Sequence, residues 1–155
     1  MSDPHQLAAD ILVSSEVPAE QEAVIIDAFR AVDVTARTRM VPTRRGMEGL
    51  PWLVLATLPL QAFLTGLGVV MAEDVTQRMK RLVGRVLRTR RAAPPASQLL
   101  VLQDAVTRLQ VVLEPELPAE AYRALLALDL SQFRHGPLHY DRQLARWRSE
   151  LDEAL

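Results

Sequence analysis

The chain contains no cysteine. Disulfides, thiolate zinc sites, iron–sulfur clusters and a cysteine nucleophile are therefore excluded, and a reducing, cytoplasmic compartment is the natural expectation. Asparagine is also missing, and Lys80 is the only lysine among 18 basic residues. Arginine codons are GC-rich while lysine and asparagine codons are AT-rich, so this bias points to a high-GC bacterial genome and says nothing of activity. Aromatic residues make up only 5% of the chain. Together with a pI near 6.3 and the lack of any recognition motif, that scarcity argues against a nucleic-acid partner. Met1 to Asp10 carries acids but neither Lys nor Arg, so a secretory signal, which needs a positive n-region, is not expected.

Catalytic signatures are missing as well. Ser14 and Ser15 lack the G-x-S-x-G context of a nucleophile elbow. Gly66-Leu67-Gly68 has no third glycine three residues on, and no Walker A run occurs. His135 and His139 stand four apart with Asp141 behind them, a spacing that on a helix would let them share a metal. Gly136-Pro137 lies between them, however, with no HExxH pattern and no third ligand, so they read as ordinary loop histidines. Glu73-Asp74 and the Glu114, Glu116, Glu120 group fit helix starts and surface acids. The expectation is a chain that is not an enzyme and that uses no metal and no cofactor.

The 155 residues, 49% of them apolar, suit one domain over residues 1–155, with 1–9 loose and the Pro-rich 92–97 as an internal linker. The net charge of −1 conceals an asymmetry. Residues 1–33 hold seven acids and one base (−6), residues 34–103 eleven bases and three acids (+8), and residues 104–155 six bases and nine acids (−3).

Asp10–Val17 is short and rich in branched apolar residues and reads as a buried strand. Pro18, Glu20 and Glu22 suit a first helical turn. Val24, Ile25, Ala28, Phe29 and Val32 share one face, which predicts a helix over 18–32. Val34, Ala36, Thr38 and Met40 alternate with Thr35, Arg37, Arg39 and Val41, a half-exposed strand ending at Pro42. Strand, helix and strand make a βαβ unit. Residues 43–49 read as a loop, 50–59 as an apolar strand, and 60–91 as helical with a break near Gly66 and Gly68. Leu99–Leu102 and Arg108–Leu113 predict a hairpin turning near Asp104, and 118–129 predicts a helix. Leu144, Trp147, Leu151 and Leu155 have helical spacing, so the tail from Asp141 reads as helix, with a hairpin over 138–155 as the alternative. The fold class expected is α/β or α+β: a small mixed sheet with an N-terminal βαβ unit, a central apolar strand and basic amphipathic helix, then a β-hairpin and C-terminal helices. Glu16-Val17-Pro18-Ala19-Glu20 recurs as Glu116-Leu117-Pro118-Ala119-Glu120, which reads as two uses of one helix-start chemistry rather than a duplication.

The uncharged run from Gly49 to Ala72 is long enough to span a bilayer. Pro51, Pro59, Gln61, Thr65, Gly66 and Gly68 argue for a buried strand and helix instead, because Pro59 would remove a backbone bond where no water replaces it. A membrane-associated chain that inserts 49–72 and lays a basic helix on anionic lipid stays open as the second reading. Within that helix, Val75, Met79, Leu82, Val83 and Val86 make an apolar stripe, and Arg78, Arg81, Arg85 and Arg88 a basic stripe at the same spacing. Seven bases and no acid lie between Arg78 and Arg91. Such a face suits an acidic protein partner. The bland alternative is a solvated exterior neutralised by Glu20, Glu22 and Asp27 of the first helix.

Pro42-Thr43-Arg44-Arg45-Gly46, Leu50-Pro51-Trp52-Leu53-Val54-Leu55 and Leu58-Pro59-Leu60-Gln61-Ala62-Phe63-Leu64 together resemble a group of small actinobacterial proteins. These are similar to the effector-associated constant component proteins of bacterial conflict and immune systems. The resemblance covers roughly residues 10–90. It implies a non-catalytic accessory working beside protease-like or NTPase effectors, and it carries over no functional residues. Partner identity and self-association are left open.

Overall fold

The computed structural model describes residues 7–14, 17, 19–41, 54–69, 72–87 and 99–154. β1 (Leu7–Ser14), α1 (Glu22–Arg30) and β2 (Val34–Val41) form the expected βαβ unit, the two strands parallel and in register from Leu7 opposite Val34 to Ser14 opposite Val41. β1 begins three residues before Asp10, and Leu7–Ala9, expected to be loose, belong to it. The reason is visible in the pattern: Leu7, Ala9, Ile11 and Val13 all point to the main core, as period-two alternation requires. A 3₁₀ turn at Ala19–Gln21 precedes α1, so the helix proper starts at Glu22, later than predicted.

β3 (Val54–Leu58) lies antiparallel to β1. Pro59 ends it, and the Pro59 carbonyl accepts the Phe63 N–H at 3.0 Å as α2 (Leu60–Val69) begins. Within the helical pattern expected over 60–91 the described residues form two helices, α2 and α3 (Ala72–Leu87). The break falls after Val69, with Gly66 and Gly68 inside α2. Leu60, Phe63, Leu64 and Leu67 of α2 and Val75, Met79, Leu82, Val83 and Val86 of α3 are all buried. Full burial of Phe63 or Met79 contributes about 1.5–3 kcal/mol each. The large apolar side chains described in the uncharged run are thus core, while Pro59, Gln61, Ala62, Thr65 and Gly66 are exposed, and no described helix is long and apolar enough to cross a membrane. Gln61 is tied into the fold too, accepting the Leu130 N–H at 2.9 Å.

β4 (Leu100–Asp104) and β5 (Gln110–Leu113) make the predicted hairpin, and α4 (Ala119–Leu126) follows. Val17 and Leu117, which precede the two prolines of the sequence echo, are both buried. The tail corrects the sequence reading. It is the alternative hairpin, β6 (Leu138–Asp141) and β7 (Arg146–Ser149), closed by a short α5 (Glu150–Ala154). Asp141 Oδ1 accepts the Gln143 and Leu144 N–H groups, both at 2.9 Å, and so builds the turn. Trp147 is buried against Tyr140 and donates its Nε1–H to the Ala121 carbonyl at 2.9 Å, while Leu144 and Leu151 are exposed.

The sheet order is β2-β1-β3-β4-β5-β6-β7. It contains three adjacent parallel pairs, β1/β2, β3/β4 and β5/β6, each bridged by helix, with antiparallel pairing between successive pairs. α1 to α4 pack into one core that runs from Ala9 to Trp147. The opposite face of the sheet holds a smaller cluster, Leu55, Val101 and Val112, flanked by Leu12 and Leu99. The expected loop 43–49, the linker 92–97 and Arg88 lie outside the described residues.

Candidate functional site

In the helix layer α3 packs against both α1 and α4. Its apolar stripe faces the sheet, which turns Gln77, Arg81 and Arg85 to the exterior and leaves Arg78, Lys80 and Gly84 half-buried at its flanks. Of the four arginines predicted for docking, Arg78, Arg81 and Arg85 stand together on this face, and Arg88 lies outside the described residues.

Two grooves run beside them. One, of about 220 Å³, lies between α1 and α3 and is lined by Ala28, Ala31, Val32, Arg78, Arg81, Leu82 and Arg85. The other, of about 190 Å³, is lined by Lys80, Arg81, Gly84 and Arg85. Arg81 and Arg85 line both, so they form the ridge between them. The first groove combines an apolar floor with a guanidinium rim.

Among the described residues no ion pair joins Glu20, Glu22 or Asp27 to the cations of α3. Asp27 pairs with Arg30 at 3.4 Å, and Glu22 accepts a hydrogen bond from Thr38 Oγ1 at 3.1 Å. Among the described residues, Arg78, Lys80, Arg81 and Arg85 make no ion pair. The C-terminal end of α1, where Ala31 and Val32 line the groove, offers them only the weak negative end of a helix dipole. Like charges at helical spacing repel by about 0.2–0.5 kcal/mol per pair, so the bare protein carries a small penalty that an anionic partner would relieve. The rest of the basic middle is elsewhere. Arg37 and Arg39 are exposed on β2 and, by alternation with Val34 and Ala36 of the core, face away from the helices.

The other polar constellation lies in the tail. His135 Nδ1 sits 3.0 Å from Asp152 Oδ1, and Ser149 is beside both. The serine hydroxyl, however, donates to the His135 backbone carbonyl and accepts the Asp152 N–H at 3.2 Å, and the side chain is 2% exposed. This is a lock on the turn and α5, not a hydroxyl aimed at an imidazole. Asp152 also takes the Arg134 and His135 N–H groups at 2.8 and 3.0 Å. The Arg134 bond above all, outweighing desolvation, holds its carboxyl below the ordinary value. His139 lies on β6 opposite Arg148. Among the described residues no three His, Asp or Glu side chains gather closely enough to hold a metal ion. Burial pushes the Tyr122 hydroxyl up to about 12, as expected for a core phenol.

Comparison with protein-family models, curated proteins and solved structures finds no match to this chain.

Sequence reasoning puts Arg78, Arg81 and Arg85 on one helix face, as the structure does, but gives nothing of what surrounds them. The pattern puts Ala28 and Val32 on the apolar face of the first helix, and nothing in it says that α1 comes to rest beside α3. Gly84 left one signal, a lone glycine in a strongly periodic helix.

Proposed function

We propose that this chain is a non-enzymatic adaptor or regulatory subunit, acting in the bacterial cytoplasm as an accessory of a defence or signalling system, and that α3 docks an acidic surface of a protein partner. The observation that carries this reading is the groove between α1 and α3, rimmed by Arg78, Arg81 and Arg85 with no acid paired to them among the described residues. Guanidinium forks match carboxylates bidentately. The floor of Ala28, Ala31, Val32 and Leu82 gives an apolar side chain somewhere to go, which a protein segment can use and a phosphate backbone cannot.

Backbone-amide NMR with a synthetic Glu- and Leu-rich peptide tests this. Shifts are expected at Ala28, Ala31 and Val32 and from Arg78 to Arg85, shrinking as salt is raised. The same peptide with Lys for Glu should leave the spectrum unchanged. Shifts scattered over the whole surface, or gathered around Arg37 and Arg39 on the far face of the sheet, would contradict the reading.

A further inference from the structure

Gly84 has no reason inside the fold. A glycine in the body of a helix is destabilising relative to alanine, because it gives up more backbone freedom on folding. Proteins keep such glycines where a neighbouring chain presses on the backbone. Gly136, in the loop before β6, shows such pressure outside a helix: a Cβ there would stand 3.0 Å from the Gln110 nitrogen. A Cβ at Gly84 would meet no atom within 4 Å, and the same holds at Gly66 of α2, so what sets Gly84 apart is its surroundings. The open space above it is the groove bounded by Lys80, Arg81 and Arg85, so the one glycine of α3 lies among cations that make no ion pair among the described residues.

We infer that Gly84 is a notch over which an acidic α-helix of a protein partner crosses α3, its carboxylates reaching Lys80, Arg81 and Arg85. This rests on the docking reading and names the partner's secondary structure. Two features select a helix. Every backbone group in the middle of α3 is already used within the helix, so an extended segment laid there would leave its own N–H and C=O groups facing no partner. A helix satisfies its own and brings only side chains. Arg81 and Arg85 are also one turn apart, the spacing of acids at i and i+4 on a facing helix. A missing Cβ lets two such helices approach more closely than the usual interaxial distance of about 8–10 Å.

The test compares the full chain with its Gly84→Ala, Gly84→Leu and Arg81→Glu/Arg85→Glu variants. The probes are an acidic amphipathic helical peptide, the same peptide with two central uncharged residues replaced by proline, phosphatidylglycerol vesicles and a short single-stranded DNA. Gly84→Ala should melt about 2–4 °C higher, as a relieved helix glycine in a chain of this size does, and yet bind the helical peptide more weakly. Gly84→Leu should bind it about tenfold more weakly. The proline-broken peptide should bind weakly to all and not sense position 84. Equal affinity of the wild type and both glycine variants for the helical peptide, with loss in the charge-reversed variant, would overturn the notch and leave the docking reading standing. No loss on charge reversal would overturn both. Vesicles or DNA that outbind the peptide and respond to Gly84 would overturn the choice of a protein helix. Since Gly84→Ala is expected to be more stable than the wild type, the test survives any failure of Gly84→Leu to fold.

Discussion

At the scale of single residues, Asp104 ties together parts of the chain that are far apart in sequence. It ends β4, and its Oδ2 accepts the Val106 N–H at 3.0 Å, the Thr107 N–H at 2.8 Å and the Thr107 hydroxyl at 3.1 Å, closing the turn to β5. Its Oδ1 accepts the Leu60 N–H at 3.0 Å, capping the start of α2. Burial raises its carboxyl pKa, but the bonds from Thr107, Leu60 and Val106 outweigh that and hold it below the ordinary 3.8. Asp104→Ala should therefore cost about 1–2 kcal/mol, the usual range for a lost cap with its turn bonds, seen as a fall of about 2–8 °C in Tm. An unchanged Tm would mean that these bonds merely exchange for water. The turn at Asp104 was legible in the sequence, because turn chemistry is local. Its reach to Leu60 was not, since no periodicity or spacing encodes a contact across 44 residues.

At the scale of elements, β2, β3, the β4/β5 hairpin and the inward face of α3 were readable from alternation and helical spacing, each pattern long enough or bounded by a proline. The tail was misread because Leu144, Trp147 and Leu151 fit a helix by accident. Only Trp147 is buried, while Leu144 and Leu151 are 53% and 55% exposed. The competing signal, Arg146 and Arg148 alternating with Trp147 and Ser149, spans only four residues, too short to decide by period alone. Polar contacts add to the buried Leu138, Tyr140 and Trp147 in holding the hairpin. Arg148 bonds Asp141 at 2.6 Å and Glu153 through Nε at 3.1 Å, and Arg146 lies 3.6 Å from Glu153. Glu153 is held below its ordinary 4.5 chiefly by Arg148, and Asp141 below 3.8 by the Leu144 N–H and then Arg148. Folded-state values depressed in this way stabilise the tail fully at neutral pH, and the contribution is lost as pH falls through and below the ordinary carboxylate range. In a Trp52→Phe background, Trp147 fluorescence should therefore report loosening of the tail between about pH 5 and pH 2, ahead of helix loss by circular dichroism. A single transition common to both probes would show that the tail does not yield on its own.

At the scale of the whole molecule, the +8 of residues 34–103 looks in the sequence like one basic block. Folding divides it. Arg37 and Arg39 lie on one face of the sheet and Arg78, Arg81 and Arg85 on the helix layer of the other, beside α1 but unpaired with its acids. Charge counting could not separate these cases, because it carries no information about which elements become neighbours. The sheet order was equally hidden, since β5 and β6 meet through a single pair, Val111 and Leu138, after a connection of α4 and a long turn. The central claim is that the α3 arginines serve a partner and not the fold. The most direct measurement takes the Arg81→Glu/Arg85→Glu variant and records, on the same sample, its Tm and its affinity for the acidic helical peptide at low and moderate salt. Exposed charges without partners contribute about 0–1 kcal/mol to stability. The account therefore predicts a Tm within about 4 °C of the wild type, with affinity lower by at least about tenfold and most of its salt dependence gone. A steep fall in Tm, with peptide affinity unchanged at a temperature where the variant is folded, would contradict it.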